Sequence, residues 1–242
     1  MRFERTRSES PGPTPSTCRT IAIDGPVAVG KTTVGRLLAQ RLGYLFVDTG
    51  ALYRALTWKA LQNGIDPQDD AGLADLASRT SIQLLSSEHS TTGYQVLVEG
   101  ADVTDKVRTP AVESSVSLVS LVPAVRRILV EKQRQMALEN KVVMVGRDIA
   151  TVVLPDADLK VFLTASPRER AQRRYRELKA SGKERDFESV LQEMTSRDSL
   201  DSTRKDSPLK IAANSQVVDT DMLSLEEVVD RVQALARGQK CC

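Results

Sequence analysis

The chain has 242 residues, 40% of them hydrophobic and 27% charged, with a formal net charge of +2. This is the balance of a folded globular protein, neither fibrous nor disordered, and the length suits one domain with an inserted subdomain. No apolar run reaches the roughly 18 residues that span a bilayer, and the single histidine, His89 in a polar Ser/Thr-rich loop, excludes histidine-based catalysis and a multi-histidine metal site.

Residues 1–17 intersperse Arg and Glu with Ser and Pro and lack an apolar h-region, so they read as a disordered tail and not as a signal peptide. The three cysteines, Cys18, Cys241 and Cys242, lie at the two ends of the chain. They cannot build a disulfide framework around a core, which points to the reducing cytoplasm.

Thr20-Ile21-Ala22-Ile23 is a short β-branched apolar run, as a buried strand requires. Gly25-Pro26-Val27-Ala28-Val29-Gly30-Lys31-Thr32 follows and fits G-x-x-x-x-G-K-[ST]. Val34, Leu37, Leu38 and Leu42 then recur at helical spacing, and Gly43 stands at the expected C-cap. Strand, glycine loop and helix come in the order that phosphate binding needs. Backbone N–H groups converge on phosphate oxygens, and the helix N-terminus adds its positive end. In this reading Lys31 reaches the β- and γ-phosphates and the Thr32 hydroxyl helps hold Mg²⁺.

Tyr44 to Val47 predicts a second strand, and Asp48 or Thr49 caps a helix running from Ala51 to about Asn63, stopped by Gly64. Tyr53 and Arg54 fall on its first turns, near the carboxyl edge of the sheet where ligands bind in open α/β folds. From Ile65 to Arg108 the rhythm breaks. Ser81 to Leu85 and Tyr94 to Val98 partly alternate and predict an antiparallel hairpin, with Asp102 to Thr104 as a third short strand. Thr109-Pro110 and Pro123 each open a helix.

The main sheet resumes with Val142 to Val145, Leu159 to Leu163 and Gln216 to Asp219. Capping boxes at Ser166 and Ser224 start two more helices, and Arg170, Arg173 and Arg174 share one face of the first. Phe187, Val190, Leu191 and Met194 define the helix between them. Five β-segments alternating with helices predict an α/β fold, a mostly parallel sheet with helices on both faces.

A P-loop alone leaves kinases, GTPases and switches open. The guanine-reading N-K-x-D motif is missing, since Asn140-Lys141 is followed by Val142-Val143. Arg54, Arg126, Arg147, Arg170, Arg173, Arg174, Arg197 and Arg204 all fall near helix starts, strand ends or loops. Phosphoryl transfer between two nucleotides gathers about six negative charges, which needs guanidinium clamps and Mg²⁺. Arg197, Asp201 and Arg204, spaced i, i+4, i+7, share a helical face as either an ion-pair ladder or a clamp for sugar and phosphate.

Several stretches together carry a resemblance: Ile23-Asp24-Gly25-Pro26 through Lys31-Thr32, Asp48-Thr49-Gly50-Ala51-Leu52-Tyr53-Arg54, and Gly146-Arg147-Asp148-Ile149. Arg173-Arg174 with Glu177-Leu178, Arg197-Asp198 with Asp201 and Arg204, and Pro208-Leu209 continue it. From about Thr20 to Arg237 the chain resembles the bacterial-type cytidylate kinases, which are P-loop nucleoside-monophosphate kinases. The resemblance implies a three-layer α/β/α fold with a five-stranded, mostly parallel sheet, an inserted mixed α+β monophosphate-binding subdomain and a helical lid. It divides the chain into a core (18–64, 123–165 and 187–238), the insertion (65–122), the lid (166–186) and tails at 1–17 and 239–242.

The resemblance also implies roles. Gly25 to Thr32 with Thr33 hold the phosphates of ATP, with Mg²⁺ as cofactor, and the acceptor is CMP or dCMP. Arg54, Arg147 and Arg204 grip the acceptor phosphate, with Thr49 and Tyr53 in the same pocket. Ser117, Arg126 and Asp148 face the cytosine, and Arg197 and Asp201 hold the ribose. Arg170 and Arg174 approach the phosphates when the lid closes, acting with Lys31, Arg147 and Arg204 in catalysis. Cytosine offers an N4 amino donor beside O2 and N3 acceptors, which suits one carboxylate and two donors; uracil reverses that pattern. The chain departs from the family at Ala28 and Val29, where small residues including a glycine are usual, at Ala150 where glycine is usual, and in its longer N-terminal tail.

Other readings make different predictions. A P-loop kinase for another acceptor such as UMP would lack the Ser117, Arg126 and Asp148 set. A nucleotide switch tethered through Cys241-Cys242 would bind guanine nucleotide without acceptor turnover. A nucleic-acid binder using the Arg168 to Arg185 run would show salt-dependent affinity, but Glu169, Glu177, Glu184 and Asp186 interrupt that run. The reading adopted is a cytoplasmic, monomeric (d)CMP kinase without nucleic-acid or membrane partners.

Overall fold

The computed structural model describes residues 18–87, 90 and 92–238; the expected tails, Cys241, Cys242 and His89 lie outside the described residues. The first half runs β1 (Thr20–Asp24), α1 (Lys31–Leu42), β2 (Leu45–Asp48), α2 (Thr49–Gln62), α3 (Asp70–Arg79), β3 (Ile82–Ser86), β4 (Tyr94–Val98), β5 (Ala101–Asp102) and α4 (Pro110–Val119). The second half runs α5 (Pro123–Glu139), β6 (Val142–Gly146), β7 (Leu159–Thr164), α6 (Pro167–Ala180), α7 (Phe187–Thr203), β8 (Gln216–Asp219) and α8 (Leu225–Gly238).

Five strands form a parallel sheet in the order β2-β6-β1-β7-β8. β1 is central, and Ile21, Ala22 and Ile23 are fully buried, because a parallel strand flanked on both edges and covered on both faces has no polar side. The sheet is therefore a continuous apolar layer whose carboxyl ends deliver Asp24, Asp48, Gly146 and Thr164 to one edge. β3, β4 and β5 make a separate antiparallel sheet. One hydrophobic cluster joins Ile21, Ile23 and Leu38 to Leu73, Leu76 and Val96, so the two sheets share a core. Among the described residues no helix is long and apolar enough to cross a membrane.

The expected strands of the main sheet, the hairpin strands and the P-loop, α5, α6 and α8 helices are present. Gly43 closes α1 with a left-handed φ of 67°. The Ser224 box is reciprocal: Glu227 N–H donates to Ser224 Oγ at 3.3 Å, and Ser224 N–H donates to the Glu227 carboxylate at 2.8 Å. At Ser166 only half of the box forms, because Glu169 turns its carboxylate to Arg173.

Four local expectations change. α2 begins at Thr49 with Asp48 at the N-cap position, but no side chain makes the capping hydrogen bond: the Thr49 hydroxyl donates to Val145 O at 2.9 Å, and the Asp48 carboxylate is engaged by Arg54 and Tyr94. The third strand of the small sheet is Ala101–Asp102; Thr104 instead accepts from Val96 N–H through its hydroxyl at 2.9 Å. α3 has no counterpart in the sequence reading. Its apolar face is just Leu73, Leu76 and Ala77, with Asp69 as N-cap. Finally, α7 ends at Thr203, and Arg204 stands at the C-cap with ψ 140°. The helical face expected to run through Arg204 therefore stops one residue short of it.

Candidate active site

The P-loop connects β1 to α1 at the carboxyl edge. Gly25 is required there, because a Cβ would sit 2.3 Å from the carbonyl oxygen of Leu163 on the neighbouring strand. Ala28 and Gly30 both take positive φ, 56° and 95°. Lys31 is buried and donates from Nζ to Pro26 O at 2.6 Å. Desolvation, with Arg147 adding to it, pulls the Lys31 ammonium well below the ordinary lysine range, against opposing pulls from Asp24, Asp201 and Asp48. An arriving phosphate would favour its charged form. Thr33 is exposed beside it.

Two strand-end carboxylates flank the loop. Asp24 accepts N–H bonds from Ile149 and Ala150, both at 2.8 Å, and burial pushes its carboxyl up to about 6. Asp48 accepts from Arg54 at 3.2 Å, from the Tyr94 hydroxyl at 2.9 Å and from the Thr32 hydroxyl at 3.4 Å. Desolvation drives the Asp48 carboxyl upward, but Arg54, Arg108 and Tyr94 outweigh it and the net shift is downward. The Thr32 hydroxyl and the Asp48 carboxylate are hard oxygen donors side by side, a set that suits Mg²⁺ with water and phosphate completing its shell.

Across the carboxyl edge, β6 ends at Gly146 and is followed by Arg147 and Asp148. Asp148 is buried and ion-paired with Arg126 of α5, while Arg204 Nη2 lies 3.3 Å from its other oxygen. Arg147 Nε donates to Asp201 at 2.7 Å, and Arg204 Nη1 is 3.8 Å from the same carboxylate. The Tyr53 ring supports the Arg126 guanidinium, 5.6 Å from ring centroid to Cζ. Arg197 is 3.7 Å from Glu113 of α4; burial, with Arg147 and Arg54 nearby, disfavours its charge. Ser117 lies half-buried on α4, whose end reaches the cluster through Ser120 O, an acceptor for Arg126 at 3.3 Å.

Three buried guanidinium nitrogens in this cluster, Arg54 Nε, Arg126 Nε and Arg204 Nη2, have no hydrogen-bond partner among the described residues. Buried donors without acceptors are costly. Three of them, from three elements at one sheet edge, suit an anionic ligand. Arg204 Nη2 is close to Asp148 but out of hydrogen-bond alignment, so the ion pair does not satisfy that donor.

The profile of the cytidylate kinase family matches residues 21–238. The chain belongs to the cytidylate kinase family. The cytidylate kinase of Pelotomaculum thermopropionicum is 50% identical over 214 residues, covering 88% of this chain and 94% of that one. Those of Caldanaerobacter subterraneus and Bacillus subtilis are 49% and 44% identical, covering 91% and 88% of this chain and 96% and 93% of theirs. Among solved structures, the shikimate kinase of Bacteroides thetaiotaomicron is 13% identical with a TM-score of 0.44, covering 89% of this chain and 96% of that one.

The structure gathers Arg54, Arg126, Arg147, Asp148, Arg197, Asp201 and Arg204 at the carboxyl edge, and separates the three arginines expected on one face of α6. Arg170 is buried and faces the P-loop. Arg173 turns to β8, donating to Thr220 O at 2.7 Å. Arg174 is exposed and pairs with Glu177 at 3.2 Å. Asp24, Asp48, Asp198, Tyr94 and Arg108 had no assigned chemistry. The first three stand inside the recognised motifs, two of them at strand ends, and that position is a usable signal. Tyr94, whose hydroxyl reaches Asp48, and Arg108, which donates to that hydroxyl at 3.0 Å, carry no local signal because only the packing of the small sheet and the turn after it brings them in.

Proposed function

We propose that the protein transfers the γ-phosphoryl group of ATP to CMP or dCMP, giving ADP and CDP or dCDP. The observation that carries this reading is the buried Asp148 carboxylate held by Arg126 and Arg204 at the end of β6, one strand from the P-loop. A fixed carboxylate beside fixed guanidinium groups is complementary to the N4 amino donor and the O2 and N3 acceptors of cytosine. Uracil would set carbonyl against carboxylate and N–H against guanidinium, a mismatch that lowers kcat/KM by roughly 10³- to 10⁵-fold. This favours CMP over the UMP alternative.

In this reading Asp148 accepts from N4, and Arg126 and Ser117 donate to the opposite edge. Arg54, Arg147 and Arg204 neutralise the acceptor phosphate, and Arg197 and Asp201 take the ribose hydroxyls. Gly25 to Thr33 cradle the ATP phosphates, and Lys31 bridges the β- and γ-phosphates. Thr32, with Asp48 behind it, holds Mg²⁺, which supplies charge neutralisation when bound. An acceptor phosphate oxygen forms the new P–O bond as the bond to the bridging oxygen of ADP breaks. The acceptor is already an anion, so no general base is required, and positioning and electrostatics supply the rate. Segment 65–122 serves the acceptor, and segment 166–186 acts as a lid that excludes water, with Arg174 among its exposed arginines.

The test is ADP formation from ATP and Mg²⁺ with CMP, dCMP, UMP, AMP and GMP offered separately. Turnover confined to CMP and dCMP is expected. Turnover led by UMP would overturn the base assignment, and nucleotide binding with no turnover would return the P-loop to a switch.

A further inference from the structure

The P-loop is gripped from outside by side chains distant in sequence. Val27 N–H donates to Asp198 Oδ1 of α7 at 2.9 Å. Val27 O accepts from Arg170 Nη1 of α6 at 3.0 Å, and the same nitrogen is ion-paired with the other oxygen of Asp198. Arg170 is anchored in turn, because its Nε donates to Ala165 O at the end of β7, 3.2 Å away. Both backbone polar groups of one P-loop residue are thus held by a single ion pair fixed to the sheet.

The next residue explains what the grip accomplishes. Ala28 has φ 56°, a left-handed conformation that a residue with a Cβ resists and glycine adopts freely. Orienting the Val27 peptide from both sides imposes that turn on alanine, as a glycine would by itself. Val27 and Ala28 also pack against Ala171, Val190 and Met194, so α6 and α7 are seated on the loop. An acid and a base supplied from two helices do here what backbone freedom would do at a glycine.

We propose that Asp198 is a positioning residue for the ATP site, acting with Arg170 to hold the Val27 peptide and thereby the left-handed turn at Ala28 that shapes the phosphate cradle. This rests on the reading of Gly25 to Thr33 as the ATP-phosphate loop. Asp198 touches neither nucleotide in this assignment, so its effect is confined to the donor side. Arg170, oriented by Asp198 and Ala165, is a fixed part of the same clamp and not a swinging arm.

The experiment compares wild type, Asp198→Asn and Asp198→Asn/Ala28→Gly by steady-state kinetics and by calorimetric titration with Mg-ADP. Asp198→Asn is expected to raise KM for ATP and Kd for Mg-ADP about tenfold, leaving KM for CMP within about twofold. Ala28→Gly in that background is expected to recover most of the loss, since glycine needs no clamp to reach positive φ. Equal loss on the ATP and CMP sides, or no recovery by glycine, would mean that Asp198 merely stabilises the fold and would overturn the proposal. If Asp198→Asn does not fold, Asp198→Glu keeps the charge and displaces it by one methylene; it too must shift the ATP side selectively or the proposal fails. Wild type that does not bind Mg-ADP would instead overturn the reading of the loop itself.

Discussion

The P-loop and the arginine cluster beside it both suit anions, but they are prepared in opposite ways. In the P-loop the proposed phosphate-binding groups are backbone N–H groups and one buried lysine, set by glycine geometry, a strand end and a helix start. In the cluster they are guanidinium groups already paired: Arg126 with Asp148, Arg147 with Asp201, Arg54 with Asp48. A backbone cradle recognises phosphate wherever it occurs. Guanidinium groups held by carboxylates are aimed, and the carboxylates that aim them can also read a base or a sugar. In the proposed function, the difference divides the labour: generic binding of the donor on one side, selection of the acceptor on the other.

Substitutions on each side should expose that division. Lys31→Ala removes the buried ammonium of the cradle and is expected to lower kcat by about 10²- to 10³-fold. Its melting temperature should stay within a few degrees of wild type, because burial already disfavours the Lys31 charge. Full activity in this variant would take the P-loop out of the mechanism. Asp148→Asn strikes the other side, leaving Arg126 and Arg204 without their shared counter-charge. A loss of about 3 kcal/mol in stability is expected, with discrimination of CMP from UMP reduced by about 10²-fold; unchanged selectivity in kcat/KM would end the base-reading role.

Tyr94→Phe is subtler, since it deletes the hydroxyl that donates to Asp48 and accepts from Arg108. About 1 kcal/mol of stability should go with it. KM for CMP should rise more than KM for ATP, because Asp48 orients Arg54; a larger change on the ATP side would place Asp48 with the metal instead. The smallest effect concerns Asp24, whose carboxyl titrates at about 6 when folded against 3.8 unfolded. The folded state holds the proton more tightly, so this group's stabilising contribution is lost as pH rises from about 4 through 6. Wild-type stability relative to Asp24→Asn should fall by about 1 kcal/mol between pH 5 and pH 7. A flat difference in denaturant melts would show that Asp24 is ionised throughout.

Much of the architecture was legible because it is local. An apolar run such as Thr20 to Ile23, a glycine at a helix end such as Gly43, and the box at Ser224 each act within a few residues. The weaker elements lacked such signals. α3 buries just Leu73, Leu76 and Ala77 and was invisible, and Arg204 leaves the helix that its spacing predicted because α7 ends at Thr203. The arginines of α6 were legible as a group but not by destination. Arg170, Arg173 and Arg174 lie one to four residues apart, yet face the P-loop, β8 and solvent respectively.

The sequence by itself determined the phosphate loop, the parallel sheet and the family, since each depends on contiguous residues whose backbone preferences and motif spacing are set locally. The tertiary structure alone decided which charge meets which. Asp198 reaches Val27 across 171 positions, Asp24 holds Ile149 across 125, and Tyr94 finds Asp48 across 46. The physical reason is that a charged side chain has no preferred partner until folding removes it from water, and only the packed core determines which opposite charge then lies within reach.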